Sequence, residues 1–255
     1  MQRSELQVWL DKTLEPARFS DYCPNGLQVE GSEHISKIIT GVTASQALLD
    51  RAIAEEADAV LVHHGWFWRG EDPTIRGTRK QRIKTALAND LNVFAYHLPL
   101  DAHPSFGNNV QLAKVLGLEP ELDSTGAPVT GGSKDLIWFG APMELTTLGQ
   151  FVSRVGTALS RQPTFVGDPQ KLCRRIAWCT GGAQGMFEAA IEARVDVYIT
   201  GEISEPNAHL ARESGVGFIA AGHHATERYG VKALGEAIAE EFGIEVLFFD
   251  IDNPA

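Results

Sequence analysis

The residues of this chain best suited to chemistry are histidines and carboxylates that follow short apolar runs. Two of the histidines are each followed four residues later by a carboxylate, and a third apolar run ends in an adjacent histidine pair. Imidazole nitrogens and carboxylate oxygens are the ligands that divalent transition metals take in proteins. These segments therefore predict a metal site at the tips of several strands. The candidate residues are His63, His64, His97, Asp101, His223 and Glu227.

The elements that must position these residues alternate between strand and helix patterns. Apolar runs at residues 37–40, 59–62 and 92–96 precede amphipathic stretches at about 45–57, after residue 78 and at 109–116. Such alternation is typical of βαβ units and predicts an α/β fold. Ligands of these sheets bind at the carboxyl ends of the strands, which is where the candidate histidines fall.

The second half of the chain repeats the order of the first. Thr40-Gly41 recurs as Thr180-Gly181, Ala52-Ile53 as Ala190-Ile191, and residues 58–62 as residues 196–200. A histidine with a carboxylate four residues later closes each copy. We interpret the copies as two related α/β units, at residues 1–125 and 126–255, with the boundary in the Gly- and Pro-rich stretch 125–132.

The two units differ at the predicted site, because Gly201-Glu202 takes the place of His63-His64. The first unit would supply two histidines and Asp101, and the second would supply His223 and Glu227. This asymmetry predicts that the metals lie in the cleft between the units.

The spacing of the candidates suggests how they would share two ions. Adjacent residues of a strand point to opposite sides, so His63 and His64 would serve different ions. His223 and Glu227 share one face if a helix begins there. A carboxylate has two oxygens, so Asp101 or Glu227 can bridge ions about 3.5 to 4 Å apart, as in many hydrolases.

Other conspicuous residues have plainer interpretations. His34, His103 and His209 lack the strand-end context, and we expect ordinary loop or surface roles for them. The cluster 66–68, Trp-Phe-Trp, fits either a stacking surface for a base or a packing contact. Residues 21–31 are rich in turn formers and carry no chemistry of their own. Residues 181–185 lack the lysine of a phosphate-binding loop and predict a tight turn.

Composition limits the class of protein. The chain has 255 residues, 44% of them hydrophobic, with no charged-then-apolar leader and no apolar run long enough for a membrane, so we expect a cytoplasmic protein. Three cysteines without metal-binding spacing predict inert thiols rather than disulfides. The net charge of −11 disfavours nucleic acid as a partner, because such binding draws on lysine and arginine.

Taken together, the motifs of this chain resemble those of the Nif-three-like family, also called the type 2 GTP cyclohydrolase homologs. They run through nearly the whole chain as Pro24-Asn-Gly-Leu-Gln-Val-Glu-Gly31, Gly41-Val-Thr, Val62-His-His-Gly65, Tyr96-His-Leu-Pro-Leu-Asp101, Asn108-Asn109, Thr200-Gly-Glu202 and Gly222-His-His-Ala-Thr-Glu-Arg228. The chain is similar to the short form of the family, which has no inserted domain.

The resemblance implies a two-domain subunit that assembles into a ring-shaped homohexamer, a trimer of dimers. It implies two divalent metal ions per subunit, held by His63, His64, Asp101, His223 and Glu227, with Glu227 bridging and His97 beside the metals as the catalytic candidate. The metal could be zinc, iron, manganese or nickel. The implied activity is metal-dependent hydrolysis of a nucleotide-like or other small substrate. The alternative is a metal carrier or a regulatory protein that binds a partner.

Overall fold

The computed structural model describes residues 1–255, which form helices and strands in mixed order. The α-helices are α1 (Arg3–Leu14), α2 (Gln46–Ala54), α3 (Gly77–Ala88), α4 (Leu98–Ala102), α5 (Asn108–Leu116), α6 (Leu148–Leu159), α7 (Phe187–Glu192), α8 (Glu205–Ser214) and α9 (His223–Phe242). The strands are β1 (Gly26–Val29), β2 (Lys37–Thr43), β3 (Ala59–His64), β4 (Asn92–Ala95), β5 (Leu118–Pro120), β6 (Thr130–Gly131), β7 (Ile137–Pro142), β8 (Thr146–Thr147), β9 (Thr164–Val166), β10 (Leu172–Cys173), β11 (Ile176–Trp178), β12 (Val197–Thr200), β13 (Gly217–Ala220) and β14 (Glu245–Phe248). No helix combines the length and apolar character needed to cross a bilayer. The predicted α/β class is confirmed.

The chain packs as two compact units, one of residues 1–107 and 230–252 and the other of residues 108–229 and 253–255. This grouping differs from a single division at residue 125. Helix α5 joins the second unit because its Leu112 and Leu116 share a core with Phe151 of α6. The later part of α9 joins the first unit because Val231 and Leu234 pack in a core with residues of α1.

The first unit is built on a five-stranded sheet in the order β1-β4-β3-β2-β14. Strands β14, β2, β3 and β4 run parallel, and β1 pairs antiparallel with β4. The central strand β3 is buried up to His63, as the continuous apolar run predicts for a strand covered on both faces. The sheet therefore presents the ends of β3 and β4, and the residues that follow them, along one edge.

The second unit contains the sheet β5-β7-β11-β12-β13-β9, with β6 beside β7 and a separate pair β10-β8. Its centre is again parallel, since β11, β12 and β13 run in one direction. Strand β13 is followed after two residues by α9, which begins at His223, so the condition for His223 and Glu227 to share a helical face is met. The parallel centre thus brings the ends of β12 and β13 to one edge, where Glu202 and His223 follow.

The predicted internal repeat is visible in the hydrogen bonds that anchor the two parallel centres. Asp58 Oδ2 accepts hydrogen bonds from the backbone N–H groups of Ser36 (2.7 Å) and Lys37 (3.0 Å). Asp196 Oδ2 accepts equivalent bonds from Arg174 (2.8 Å) and Arg175 (3.0 Å). Asp58 thus stands just before β3 and fixes the start of its parallel neighbour β2, and Asp196 stands just before β12 and fixes the start of its parallel neighbour β11. Both units therefore contain the same hydrogen-bonded arrangement of an aspartate with two backbone N–H groups.

The strand ends of the two units correspond with an offset of one residue. Tyr96 N–H donates to Val62 O (3.1 Å) in the first unit, and Ala221 N–H donates to Thr200 O (2.8 Å) in the second. His97 comes one residue after the first of these bonds and His223 two residues after the second. The two histidines follow equivalent strands, but one residue apart.

The anchor in the first unit predicts a measurable loss of stability. Asp58→Ala leaves the N–H groups of Ser36 and Lys37 without their acceptor, and we expect it to lower the free energy of unfolding by about 2 kcal/mol at pH 7. Urea denaturation followed by circular dichroism measures the difference. Glu240→Ala, which removes an exposed carboxylate in the same unit, is the control and should change little.

The effect of Asp58→Ala should depend on pH in a defined direction. Burial alone raises the pKa of Asp58, but hydrogen bonds from Ser36 and Lys37 outweigh it and hold the pKa below its usual value. A carboxylate with a lowered pKa stabilises the fold above its unfolded-state pKa of about 4 and loses that effect as the pH falls through the folded value. The difference in free energy of unfolding between the parent and Asp58→Ala should therefore become smaller at acidic pH. A gap that stays constant down to pH 3 would contradict this.

Candidate metal centre

The end of strand β3 brings three histidines of the first unit together. His63 is fully buried and His64 is half-buried, and their ring centroids lie 4.5 Å apart. The ring of His97, which follows β4, lies 5.0 Å from that of His63 and 5.7 Å from that of His64. The expectation that the adjacent histidines point to opposite sides is therefore wrong for their rings, because both lean toward the segment after β4.

These three histidines could hold a metal ion, since one ring nitrogen from each lies within 4.8 Å of the others. Asp101, buried on α4, adds a carboxylate whose Oδ1 is 3.5 Å from His63 Nε2. Two ligands about 2.1 Å from one ion are themselves roughly 3.0 to 3.4 Å apart at ordinary coordination angles. The spacing of His63 and Asp101 is close to that range.

The second unit carries its own histidine and carboxylate on the first turns of α9. His223 Nε2 lies 3.1 Å from Glu227 Oε2, and Glu227 is 3% exposed. Burial by itself lowers the pKa of His223, but hydrogen bonds and charges from Glu227 and Glu202 outweigh it and raise the pKa to about 9. Positive charge is therefore stabilised at this position, as a cation site requires.

Each of the four histidines has an oxygen partner at its Nδ1 atom. The Nδ1 partners are Tyr96 O for His63 (3.1 Å), Thr43 Oγ1 for His64 (3.4 Å), Asp21 Oδ1 for His97 (2.8 Å) and Glu202 Oε1 for His223 (2.6 Å). An oxygen acceptor at Nδ1 favours a proton on that nitrogen, so a metal ion would bind at Nε2. At His223 the metal ion would take the place of the Nε2 proton that Glu227 attracts. The donor set thus fits divalent metal ions bound through Nε2 and carboxylate oxygens.

Gly181 leaves the space that Glu227 occupies. A Cβ atom at this position would lie 1.9 Å from Glu227 Oε1, and the backbone φ of +67° is one that side chains rarely adopt. Gly181 N–H also donates to Thr226 Oγ1 at 3.0 Å, which ties the turn to α9. The predicted tight turn at residues 181–185 therefore has a specific task, which is to admit a buried carboxylate.

Sequence reasoning missed Asp21, which lies in a segment interpreted as a turn without chemistry. Its carboxylate binds His97 Nδ1 through Oδ1 and accepts Leu98 N–H at 2.9 Å through Oδ2, so it holds both the imidazole and the start of α4. Burial alone raises the pKa of Asp21, but hydrogen bonds from His97 and Asn25 hold it well below its usual range. Asp21 is therefore ionised beside His97.

The sequence distinguishes Glu202 only as the residue that replaces His64 in the repeat. In the structure it accepts or shares the Nδ1 proton of His223, and Gln184 Nε2 donates to its other oxygen at 3.0 Å. No local pattern distinguishes such a glutamate, because its partner follows a different strand. The only signal was its place in the repeat.

Both tryptophans of the aromatic cluster make packing contacts. Trp66 is buried and donates Nε1–H to Ala44 O at 2.9 Å, so it packs the core. Trp68 packs against His97 with ring centroids 4.9 Å apart and interplanar angle 82°. Aromatic packing therefore helps to fix His97, together with the hydrogen bond that Asp21 accepts from it.

The remaining histidines and the cysteines have structural or surface roles. His209 pairs with Glu205 on the surface of α8, and His103 Nδ1 accepts the N–H groups of Ser105 and Phe106 in a turn. The three cysteines are buried and unbridged, and burial raises the pKa of Cys23 and Cys173 to about 12. These thiols are therefore poor nucleophiles, as predicted.

The fold and these side chains define an α/β protein whose histidine and carboxylate groups could hold a metal ion. The family model for Duf34/NIF3 (NGG1p interacting factor 3) matches residues 1–254, so the chain belongs to this family and the resemblance is confirmed. Two similar relatives, from Pseudomonas aeruginosa and Neisseria meningitidis serogroup A, are both named GTP cyclohydrolase 1 type 2 homolog. The Pseudomonas relative is 54% identical to this chain, and the match covers 96% of this chain and 95% of the relative. The Neisseria relative is 52% identical, and the match covers 99% of both chains. A solved structure described as protein ybgI, of unknown function, is 49% identical over 100% of both chains with a TM-score of 0.94.

Proposed function

We propose that this protein binds two divalent metal ions through His63, His64, Asp101, His223 and Glu227, with Glu227 bridging. The observation that carries the proposal is that each proposed histidine ligand has an oxygen partner at Nδ1, so that Nε2 would be the nitrogen that binds a metal ion. The spacing of Nε2 and carboxylate oxygen in each unit, 3.5 Å for His63 and Asp101 and 3.1 Å for His223 and Glu227, supports it. Zinc, iron, manganese and nickel all suit these ligands.

The activity we propose is metal-dependent hydrolysis of a nucleotide-like small substrate, in keeping with the name that the relatives carry. When bound, the metal ions supply activation of water at neutral pH. His97 is the proposed catalytic residue. Its Nδ1 is held by the ionised Asp21, so its Nε2 can accept a proton from the attacking water and return it to the leaving group. We also propose the ring-shaped homohexamer.

Turnover by metal-defined protein tests the hydrolase proposal. The purified protein is stripped with a chelator, reloaded with one metal at a time and incubated with GTP, other nucleotides and phosphoesters. We expect hydrolysis that requires the added metal and that is absent from the stripped protein. Size-exclusion chromatography with light scattering measures the mass of the assembly in the same samples.

Two results would change the proposal in different ways. Stoichiometric metal without turnover of any compound would favour the metal carrier or the regulatory partner-binding protein. Failure to retain divalent metal at neutral pH would contradict the proposed metal centre, and with it both the hydrolase and the metal-carrier proposals.

Gly181→Ala should disturb the site without removing any ligand. The new Cβ would overlap the position of Glu227 Oε1, and the positive φ adds strain, so Glu227 must move. We expect the variant to retain less than about half of the metal held by the parent, measured by elemental analysis after equal loading, because a displaced bridge affects both ions.

Gly185→Ala is the matched control for this experiment. Gly185 lies in the same turn, and no atom lies within 4 Å of a Cβ built there. It should keep the metal content of the parent. Equal metal content in both variants would show that Glu227 does not need the space beside Gly181, and would count against its proposed role.

A further inference from the structure

Glu202 makes a short contact with the proposed ligand His223. It lies between β12 and α8, its side chain is 44% exposed, and its Oε1 is 2.6 Å from His223 Nδ1. Its Oε2 accepts the Nε2–H group of Gln184 at 3.0 Å. One carboxylate oxygen is therefore used to orient Glu202, and the other faces the imidazole.

The backbone around Glu202 is held so that this contact is fixed. Gly201 N–H donates to Gly181 O at 2.8 Å, and Gly222 N–H donates to Gly201 O at 2.9 Å. A Cβ at Gly201 would lie 2.6 Å from His223 Cα, so only glycine lets the end of β12 pass this close to the start of α9. Gln184 is itself anchored, because its backbone O accepts Asn207 Nδ2–H at 2.9 Å.

The imidazole of His223 therefore has a carboxylate at each nitrogen, and the two carboxylates differ in burial. Nε2 faces the buried Glu227 at 3.1 Å, while Nδ1 faces the partly exposed Glu202. A proton on Nδ1 directed at Glu202 leaves the Nε2 lone pair for a metal, whereas the opposite tautomer would cover that lone pair. A carboxylate that binds the ring nitrogen on the side away from the metal usually sets the orientation and the tautomer of a ligating histidine.

We propose that Glu202 is a positioning residue, which fixes His223 with its proton on Nδ1 and its Nε2 toward the metal that Glu227 shares. The inference rests on the proposed function and adds a residue to it. In the internal repeat Glu202 holds the place of the proposed ligand His64, so the second unit uses this strand end to orient a ligand instead of supplying one.

Two conservative substitutions separate positioning from simple charge attraction. Glu202→Gln keeps the length of the side chain and one oxygen that can accept a hydrogen bond, but it loses the negative charge. The amide of Gln184 can rotate to accommodate it, because Gln184 Oε1 is buried without a hydrogen-bond partner. Glu202→Asp keeps the charge but falls short of His223 Nδ1 by about 1.5 Å, the length of one C–C bond.

The test measures zinc affinity and the His223 ring together. Zn²⁺ affinity is determined by competition with a chromophoric chelator, and the tautomer is read from long-range ¹H–¹⁵N spectra of histidine-labelled, Zn²⁺-loaded protein. We expect Glu202→Asp to weaken Zn²⁺ binding by about 10- to 100-fold and to lose the Nδ1–H signal of His223. Glu202→Gln should lose less than about 10-fold and keep that signal.

Glu205→Gln is the control, because Glu205 also pairs with a histidine, His209, but on the surface of α8. It should bind Zn²⁺ as the parent does. A larger loss in Glu202→Gln than in Glu202→Asp, or no loss in either, would overturn the positioning role while leaving the metal centre intact. If the parent itself binds no Zn²⁺, the proposed function fails and this inference fails with it.

Discussion

Glu227→Ala should empty the proposed metal centre of both proposed ions. Glu227 is buried at the first turns of α9, and a bridging carboxylate contributes one oxygen to each ion. In the proposed centre its removal would also take away the negative charge shared by the two ions. We expect elemental analysis to fall from two divalent ions per subunit to less than about 0.5 under loading that saturates the parent.

Two further variants make this result specific. Glu236→Ala removes an exposed carboxylate of the same helix and should keep both ions. His63→Ala removes a proposed ligand of one ion only, so about one ion per subunit should remain. Full metal content in Glu227→Ala would show that the ligand assignment is wrong.

His97→Ala should separate chemistry from metal binding. His97 is held by Asp21 at Nδ1 and packed by Trp68, an arrangement that fixes a proton acceptor near the proposed ligands. We expect the variant to keep its metal content and its assembly while kcat on GTP, or on whichever substrate the metal-dependent screen reveals, falls by about 10² to 10⁴.

His209→Ala is the control for this experiment, since His209 also pairs with a carboxylate but on the surface of α8. Its turnover should match that of the parent. Unchanged turnover in His97→Ala would remove His97 from catalysis, and a loss of metal from the same variant would make it a ligand instead.

The sequence predicted the strand ends because they depend on local patterns. The apolar run before His63 and His64 became β3, and the histidine and carboxylate spacing at His223 placed both residues on the first turns of α9. The repeat predicted that Asp58 and Asp196 occupy equivalent places in their units. Each of these features involves residues that are near in the chain or a pattern that occurs twice.

The groups that orient the histidines could not be predicted in the same way. Asp21 and His97 are separated by 76 residues, and His63 is held by the backbone oxygen of Tyr96, which has no sequence signature. The closeness of the rings of His63 and His64 also follows from tertiary packing, whereas strand geometry alone separates them. Burial and hydrogen bonds across elements supply this information.

The placement of β14 beside β2 has a consequence for how the nascent chain folds. Strand β2, at Lys37–Thr43, acquires its parallel partner only when residues 245–248 have left the ribosome. The second unit, by contrast, has received everything except residues 253–255 once Tyr229 is made. An unpaired strand edge attracts other strands, and pairings distant in sequence form slowly. The second unit should therefore close its sheet first, while the emerging chain keeps one side of β2 open until residues 245–248 have emerged.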